Sequence, residues 1–222
     1  MRGHFITFEG GEGAGKSTQA ATLAKKLAAL GIGIVVTREP GGSPGAEIIR
    51  HVVLSGVAKP LGAELETILF AAARADHLET LIKPSLAASK WVICDRFLDS
   101  TRVYQGVLGH VDRPFIKGLE KLTVGDMLPD LTFILDVPAE TGLARARARR
   151  GQGVPDRFES EDISFHETLN AAFRDIAEVE PQRCVLINAA RPKDKIAAEI
   201  WRQVRKRLHP ETAPMTLEDI TP

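Results

Sequence analysis

Residues 10–18 read Gly10-Gly11-Glu12-Gly13-Ala14-Gly15-Lys16-Ser17-Thr18, and the first eight fit G-x-x-x-x-G-K-[ST]. That pattern suits a loop that cradles the phosphates of a nucleotide. Glycines let successive backbone N–H groups turn toward phosphate oxygens, and a helix N-terminus behind them adds partial positive charge. In such a loop Lys16 reaches the β and γ phosphates, and the Ser17 hydroxyl faces Mg²⁺. The string also occurs by chance as a plain glycine-rich turn. Here an apolar run, 4–9 (HFITFE), precedes it and a stretch of helical spacing, 16–30, follows it. That strand-then-helix setting is what the phosphate reading requires.

Two further charged clusters follow apolar runs. Asp95-Arg96 comes directly after 91–94 (WVIC). At the carboxyl end of a parallel strand both would stand beside the phosphate loop. Asp95 would order Mg²⁺ or its waters, and Arg96 would hold a phosphate bidentately. A surface ion pair at a strand end is the plainer alternative. Thr37-Arg38-Glu39-Pro40-Gly41-Gly42 ends the run 32–37 and combines charge with a tight turn. Arg145, Arg147, Arg149 and Arg150 crowd into six residues, a pattern that most often marks a solvated helix face.

A phosphate loop does not name a reaction. Neither the D-x-x-G switch nor the N-K-x-D base reader of a regulatory GTPase occurs. A motor or helicase is normally longer than 222 residues. What remains is a small-molecule kinase using MgATP, with a nucleotide-binding switch or non-catalytic regulatory subunit as the alternative from another class.

The elements that must position these residues alternate. Strands are expected at 4–9, 32–37, 91–94, 131–137 and 184–188. Helices are expected at 16–30, 46–54, 63–86, 113–124, 139–149, 165–178 and 193–208, with Pro84 breaking or kinking the third. Most of the strands are apolar on both faces, so the expected fold is α/β: a five-stranded parallel sheet with helices on both faces. Residues 1–209 are expected to form a single domain, and 210–222, with three prolines, a flexible tail.

Composition excludes several classes. Lys+Arg and Asp+Glu are 29 each, so the whole-chain balance gives no support for nucleic-acid binding. No apolar run reaches the ~18 residues of a membrane span, and the N-terminus lacks a signal peptide's apolar core, so cytosol is expected. Cys94 and Cys184, each within an apolar run, are expected to be buried reduced thiols rather than a disulfide or metal pair.

Several motifs in order, FEGGEGAGKST, VTREPGG, LFAAARADH, VICDRFLDSTRVYQG, PDLTFILDV and RARARRGQGVPDRFE, together resemble bacterial thymidylate kinases over residues 4–208. TREPGG with DRF…STRVYQG is the most specific part. The resemblance implies a P-loop NTP hydrolase-like fold with a short mobile lid near 144–160, transfer of the γ-phosphate of MgATP to dTMP, and a homodimer; a kinase for another nucleoside monophosphate or for a deoxynucleoside is the second enzyme reading. It implies that Phe70 stacks on thymine and that Arg74, four residues on along the same helix face, contacts the base edge. Arg50 and Arg96 would clamp the acceptor's 5′-phosphate. Thr101 and Gln105 would read the base, and Tyr104 would lie where a 2′-hydroxyl would sit. Glu12 would stand near the acceptor sugar, and Glu39 would be either a sugar-side group or one that supports a substrate-binding side chain from behind. Thymidylate kinases place a catalytic arginine either in the P-loop or in the lid; the P-loop here carries none, so the resemblance implies a lid arginine, with Arg149, Arg150 and Arg157 as candidates in that order. Position 102 departs from many relatives in being Arg, and its direction is open from sequence.

Overall fold

The computed structural model describes residues 2–151 and 158–210. Five strands, β1 (Phe5–Gly10), β2 (Ile34–Arg38), β3 (Trp91–Asp95), β4 (Leu131–Asp136) and β5 (Cys184–Asn188), form one all-parallel sheet in the order β2-β3-β1-β4-β5. β1 is central and every one of its residues is buried. Its side chains alternate between two layers, because successive residues of a strand face opposite ways. Ile6 and Phe8 pack with Leu23 and Leu27 of α1 (Lys16–Ala28) and with Ile196 and Ile200 of α9 (Lys193–Leu208). Phe5 packs on the other side with Leu78, Ile82, Val92, Phe97 and Leu98. The edge strands β2 and β5 are only half covered: Val36 and Leu186 are exposed. Burial on both faces therefore holds for the inner strands.

Register aligns the carboxyl ends. Arg38 pairs with Asp95 across β2–β3, and Asp95 pairs with Phe8 across β3–β1. The turn after β1 therefore meets Glu39, Asp95 and Arg96 at one sheet edge, where the strand order changes direction about β1.

One expected helical span divides, and one stretch without an expected element becomes helical. The stretch 63–86 divides into α3 (Ala63–His77), a π-helical turn at Leu78–Ile82, and α4 (Lys83–Ala87). Pro84 enters at the first turn of α4, where its missing N–H costs nothing. The wider turn before it absorbs the break. Residues 98–108, to which no element was assigned from sequence, form α5 (Leu98–Thr101) and a π-helical segment, Arg102–Leu108. The remaining helices are α2 (Pro44–Leu54), α6 (Arg113–Thr123), α7 (Ala139–Arg150) and α8 (Ile163–Val179). The Asp162 side chain caps α8 by accepting from Phe165 N at 2.9 Å. Both cysteines are buried and free, and burial pushes the Cys184 thiol up to about 12. No described helix is long and apolar enough to cross a membrane.

Candidate functional site

The loop between β1 and α1 takes its shape from glycine. Gly10, Gly13 and Gly15 have φ of 127°, 65° and 97°, a region that side chains with a Cβ rarely enter. Gly13 has a second constraint: a Cβ there would overlap the Gly142 carbonyl of α7. Helix α7 thus lies directly against the loop. Lys16 is buried, and its Nζ donates to Gly10 O at 3.0 Å and Gly11 O at 2.8 Å. Burial pushes the Lys16 pKa below its ordinary value. Ser17 Oγ donates to Asp95 Oδ2, which joins the P-loop to the end of β3.

Arg96 follows with φ of 71°, an uncommon conformation for a non-glycine residue and a form of strain that concentrates at functional sites. Several groups hold it, among them Gly10 O and Ser100 Oγ, each accepting from Nη1 at 3.3 Å. Its N–H donates to Phe8 O at 2.9 Å, its guanidinium pairs with Glu12, and it lies over the Tyr104 ring at 5.1 Å. Tyr104 OH also donates to Glu12 Oε1 at 3.2 Å. Burial opposes ionisation of Glu12, but the Arg96 and Lys16 charges outweigh it and hold the carboxyl down at about 2.

Beneath this turn lies Glu9, which the sequence reading passed over as the end of an apolar strand. Its carboxyl is fully buried and accepts from Phe97 N at 2.7 Å and Ser100 Oγ at 2.6 Å. Burial, helped by the nearby Asp99 charge, raises its pKa from 4.5 to about 7. In the folded chain Glu9 therefore binds more protons than in the unfolded chain between those values, so stability falls as pH rises through that window. Glu9→Gln should remove this fall. At ~1.4 kcal/mol per pH unit, the variant should gain about 3 kcal/mol relative to the wild type on going from pH 4 to pH 8. Parallel Tm-against-pH curves for the two proteins would contradict the assignment.

The opposite wall comes from α3 and the TREPGG turn. Glu66, Phe70, Arg74 and His77 occur at helical spacings of 4, 4 and 3 and so share one face of α3. Arg74 is buried; Nε donates to Glu39 Oε2 at 2.7 Å, and Nη2 donates to Thr101 Oγ1 at 2.9 Å and Phe97 O at 3.2 Å. His77 is fully buried, with Nδ1 3.1 Å from Glu39 Oε1 and Nε2 2.8 Å from Thr37 Oγ1. Arg50 Nη1 donates to Pro40 O at 2.5 Å. Gln105 Nε2 donates to Glu66 Oε1 at 3.0 Å.

These walls enclose one cavity of about 420 Å³. It brings together Glu12, Gly13, Gly15, Lys16, Ser17, Thr18, Glu39, Arg50, Phe70, Arg74, Asp95, Arg96, Thr101, Tyr104, Gln105 and Arg149, all expected from sequence. It adds Arg38, Pro40, Leu54, Phe97, Ser100 and Phe158, which were not. Six Lys or Arg against three Asp or Glu among the lining residues suit a polyanionic ligand. Gly10, Gly11 and Ala14 shape the loop without lining the cavity. Arg150 is also absent from the lining and instead pairs with Glu159. Arg157 lies outside the described residues. Arg102 points away from the cavity and pairs with Glu120 at 2.7 Å, Glu180 at 2.6 Å and Asp99 at 3.1 Å.

The donor set fits Mg²⁺. It consists of the Ser17 hydroxyl and the Asp95 carboxylate, both hard oxygens that already touch. Among the described residues no cluster of three or more His, Cys, Asp or Glu side chains could hold a metal alone. Mg²⁺ bound through one or two protein oxygens, substrate phosphates and waters needs no such cluster.

Comparison with known proteins gives one answer. The thymidylate kinase family model matches residues 8–200. The thymidylate kinase of Nitrobacter winogradskyi is 62% identical over 207 residues, covering 93% of this chain and 90% of that protein. That of Bradyrhizobium sp. strain BTAi1 is 59% identical over 93% of this chain and 92% of its own length. The crystal structure of thymidylate kinase from Ehrlichia chaffeensis superposes with a TM-score of 0.72 at 34% identity, over 92% of this chain and 99% of that one. A P-loop, an arginine-rich cavity and an α3 face bearing Phe70 and Arg74 at one sheet edge, together with these matches, show that the chain belongs to the thymidylate kinase family.

Proposed function

We propose that this chain transfers the γ-phosphate of MgATP to dTMP, giving dTDP and ADP in the route to dTTP. The observation that carries the reading is the shared cavity: the phosphate loop and the Phe70–Arg74–Gln105 wall face one space of about 420 Å³. Donor phosphates sit on the P-loop, with Lys16 turning from the Gly10 and Gly11 carbonyls toward the β and γ groups. Ser17 and Asp95 hold Mg²⁺, which supplies charge neutralisation on the transferring phosphoryl group. Phe70 supports the thymine ring, and Arg74, Thr101 and Gln105 read its edge. Arg50 and Arg96 hold the acceptor phosphate, and Glu12 and Tyr104 hold Arg96 in place. Glu39 acts through Arg74, which it orients from a buried position.

The acceptor is already an anion, so no general base is needed. The protein's work is to align two polyanions and offset their repulsion. Arg149 is the lid arginine whose position best suits this, because it lines the cavity and bears on Glu12 electrostatically.

The chain is read as a single cytoplasmic kinase domain over residues 1–209 acting as a homodimer, with a lid near 144–160. Among the described residues, five of the thirteen exposed large apolar residues fall between positions 48 and 68: Ile48, Val57, Leu61, Leu65 and Ile68. Such clustering supports a self-association face, and light scattering in solution tests it.

Acceptor choice is the direct test of the function. With ATP fixed, kcat/KM should be highest for dTMP. For dUMP, which lacks one methyl contact, it should fall by roughly 10–200-fold at most. For dCMP, whose edge reverses the hydrogen-bond pattern facing Arg74, it should fall on the order of 10⁴. The thymine ribonucleotide should be poor, and Tyr104→Ala should relax that discrimination. AMP, GMP or a free nucleoside outperforming dTMP would overturn the thymidylate reading while leaving a P-loop kinase.

A further inference from the structure

We infer that Glu66 is a specificity-positioning residue: by anchoring the Gln105 amide nitrogen, it turns the carbonyl oxygen toward the pyrimidine edge. This rests on the reading that the cavity holds dTMP.

The geometry is local and buried. Glu66 and Gln105 are 5% and 3% exposed, and Gln105 Nε2 donates to Glu66 Oε1 at 3.0 Å. A carboxylate has no hydrogen to donate, so the pair closes in one sense only: amide nitrogen to Glu66, amide oxygen away. Gln105 Oε1 has no partner among the described residues and is not among their sealed polar atoms, while Gln105 lines the cavity. Turning the amide over would set its oxygen against the Glu66 carboxylate inside a buried pocket, where unpaired or repelling polar groups cost most.

The consequence is chemical. Thymine and uracil carry N3–H, a donor; cytosine carries a bare N3, an acceptor. An amide held oxygen-outward accepts from the first and repels the second. Arg74 performs the complementary task with a donor. Its Nε and Nη2 are fixed by Glu39, Thr101 and Phe97, which leaves Nη1 for a carbonyl. Glu39 and Glu66 thus have parallel duties, each orienting one reader from behind. Glu66 sits one helical turn before Phe70 and two before Arg74, so α3 carries the stacking ring, the donor and the group that sets the acceptor.

Glu66→Gln tests this with an asymmetric outcome. Two amides pair equally well in either sense, so Gln105 becomes free to present oxygen or nitrogen. We expect kcat/KM for dTMP to fall by only ~2–3-fold, because one of two orientations still serves. For dCMP it should rise by ~10-fold or more, because the flip no longer opposes a carboxylate. KM for ATP should not move. A merely structural role would lower both acceptors together, and that result, or an unchanged dCMP-to-dTMP ratio, overturns the inference.

Gln105→Ala keeps the proposal open to refutation if Glu66→Gln folds poorly. It should narrow the dTMP-to-dCMP ratio mainly by lowering dTMP, and a ratio equal to wild type would overturn the role of both residues. In the Gln105→Ala background, Glu66→Gln should leave the ratio where Gln105→Ala put it; a further change would show Glu66 acting by another route and overturn the proposal. If wild type itself prefers an acceptor other than dTMP, the functional reading fails first, and that panel separates the two failures.

Discussion

Lys16→Ala should reduce turnover to a trace while the fold survives. Lys16 has two neutral partners in the ligand-free chain, the Gly10 and Gly11 carbonyls, and no direct ion pair with the Glu12, Asp95 or Glu9 carboxylates around it. Its burial already disfavours the charge. A desolvated ammonium beside the loop gains most when a polyphosphate arrives, and it gains further as negative charge redistributes in phosphoryl transfer. Loss of one such preorganised donor costs on the order of 10²–10³ in rate. Weaker MgATP binding adds to that loss in kcat/KM. The fold should hold because the sheet and both core layers exclude this side chain. The measurements are kcat and KM for ATP alongside a thermal melt. Turnover within about tenfold of wild type, with the fold intact, would remove Lys16 from the mechanism.

Arg149 carries the second large effect. It is 64% exposed at its side chain, lines the cavity, and among the described residues has only a long 3.5 Å contact with Glu159. Arg150 is less exposed and already paired with the same carboxylate. Arg145 is committed to the Ala189 carbonyl at 2.8 Å. An arginine that serves phosphoryl transfer must be able to leave its resting partner, and Arg149 has least to give up. Arg149→Ala should lower kcat by roughly 10³–10⁵, the range of an arginine finger, with little change in KM for dTMP. Arg150→Ala should cost less, and the double variant about as much as Arg149→Ala alone. If the double variant keeps a normal kcat, Arg157 takes the role and is the next substitution to make.

Much of the site was legible because phosphate chemistry is short-range in sequence. Loop glycines, Lys16 and Ser17 are neighbours along the chain, so their pattern survives without knowledge of the fold. The same holds for Asp95-Arg96 and TREPGG, each ending an apolar run. That five strands should be parallel followed from their apolar runs and the intervening helical lengths, and the sheet has that form. Phe70 and Arg74 were placed by the resemblance, with their spacing of four consistent with one helix face.

What the chain order alone did not supply was pairing across distance. Glu9 looked like the polar end of an apolar strand; only the return of β3 and α5 brings Phe97 and Ser100 to its oxygens and drives up its pKa. Arg102 could have faced either way from sequence. The choice depends on Glu120 and Glu180, which lie 18 and 78 residues away and arrive on other elements. The segment 98–108 was read for its motif and not as helix, and its π-helical turn sets the directions of Tyr104 and Gln105. Sequence determined which groups could bind phosphate, because covalent neighbours and strand ends carry that information. Tertiary structure decided which buried carboxylate holds Arg74 and which holds Gln105, because a carboxylate's partner is set by three-dimensional proximity and by the cost of leaving a buried polar group unpaired.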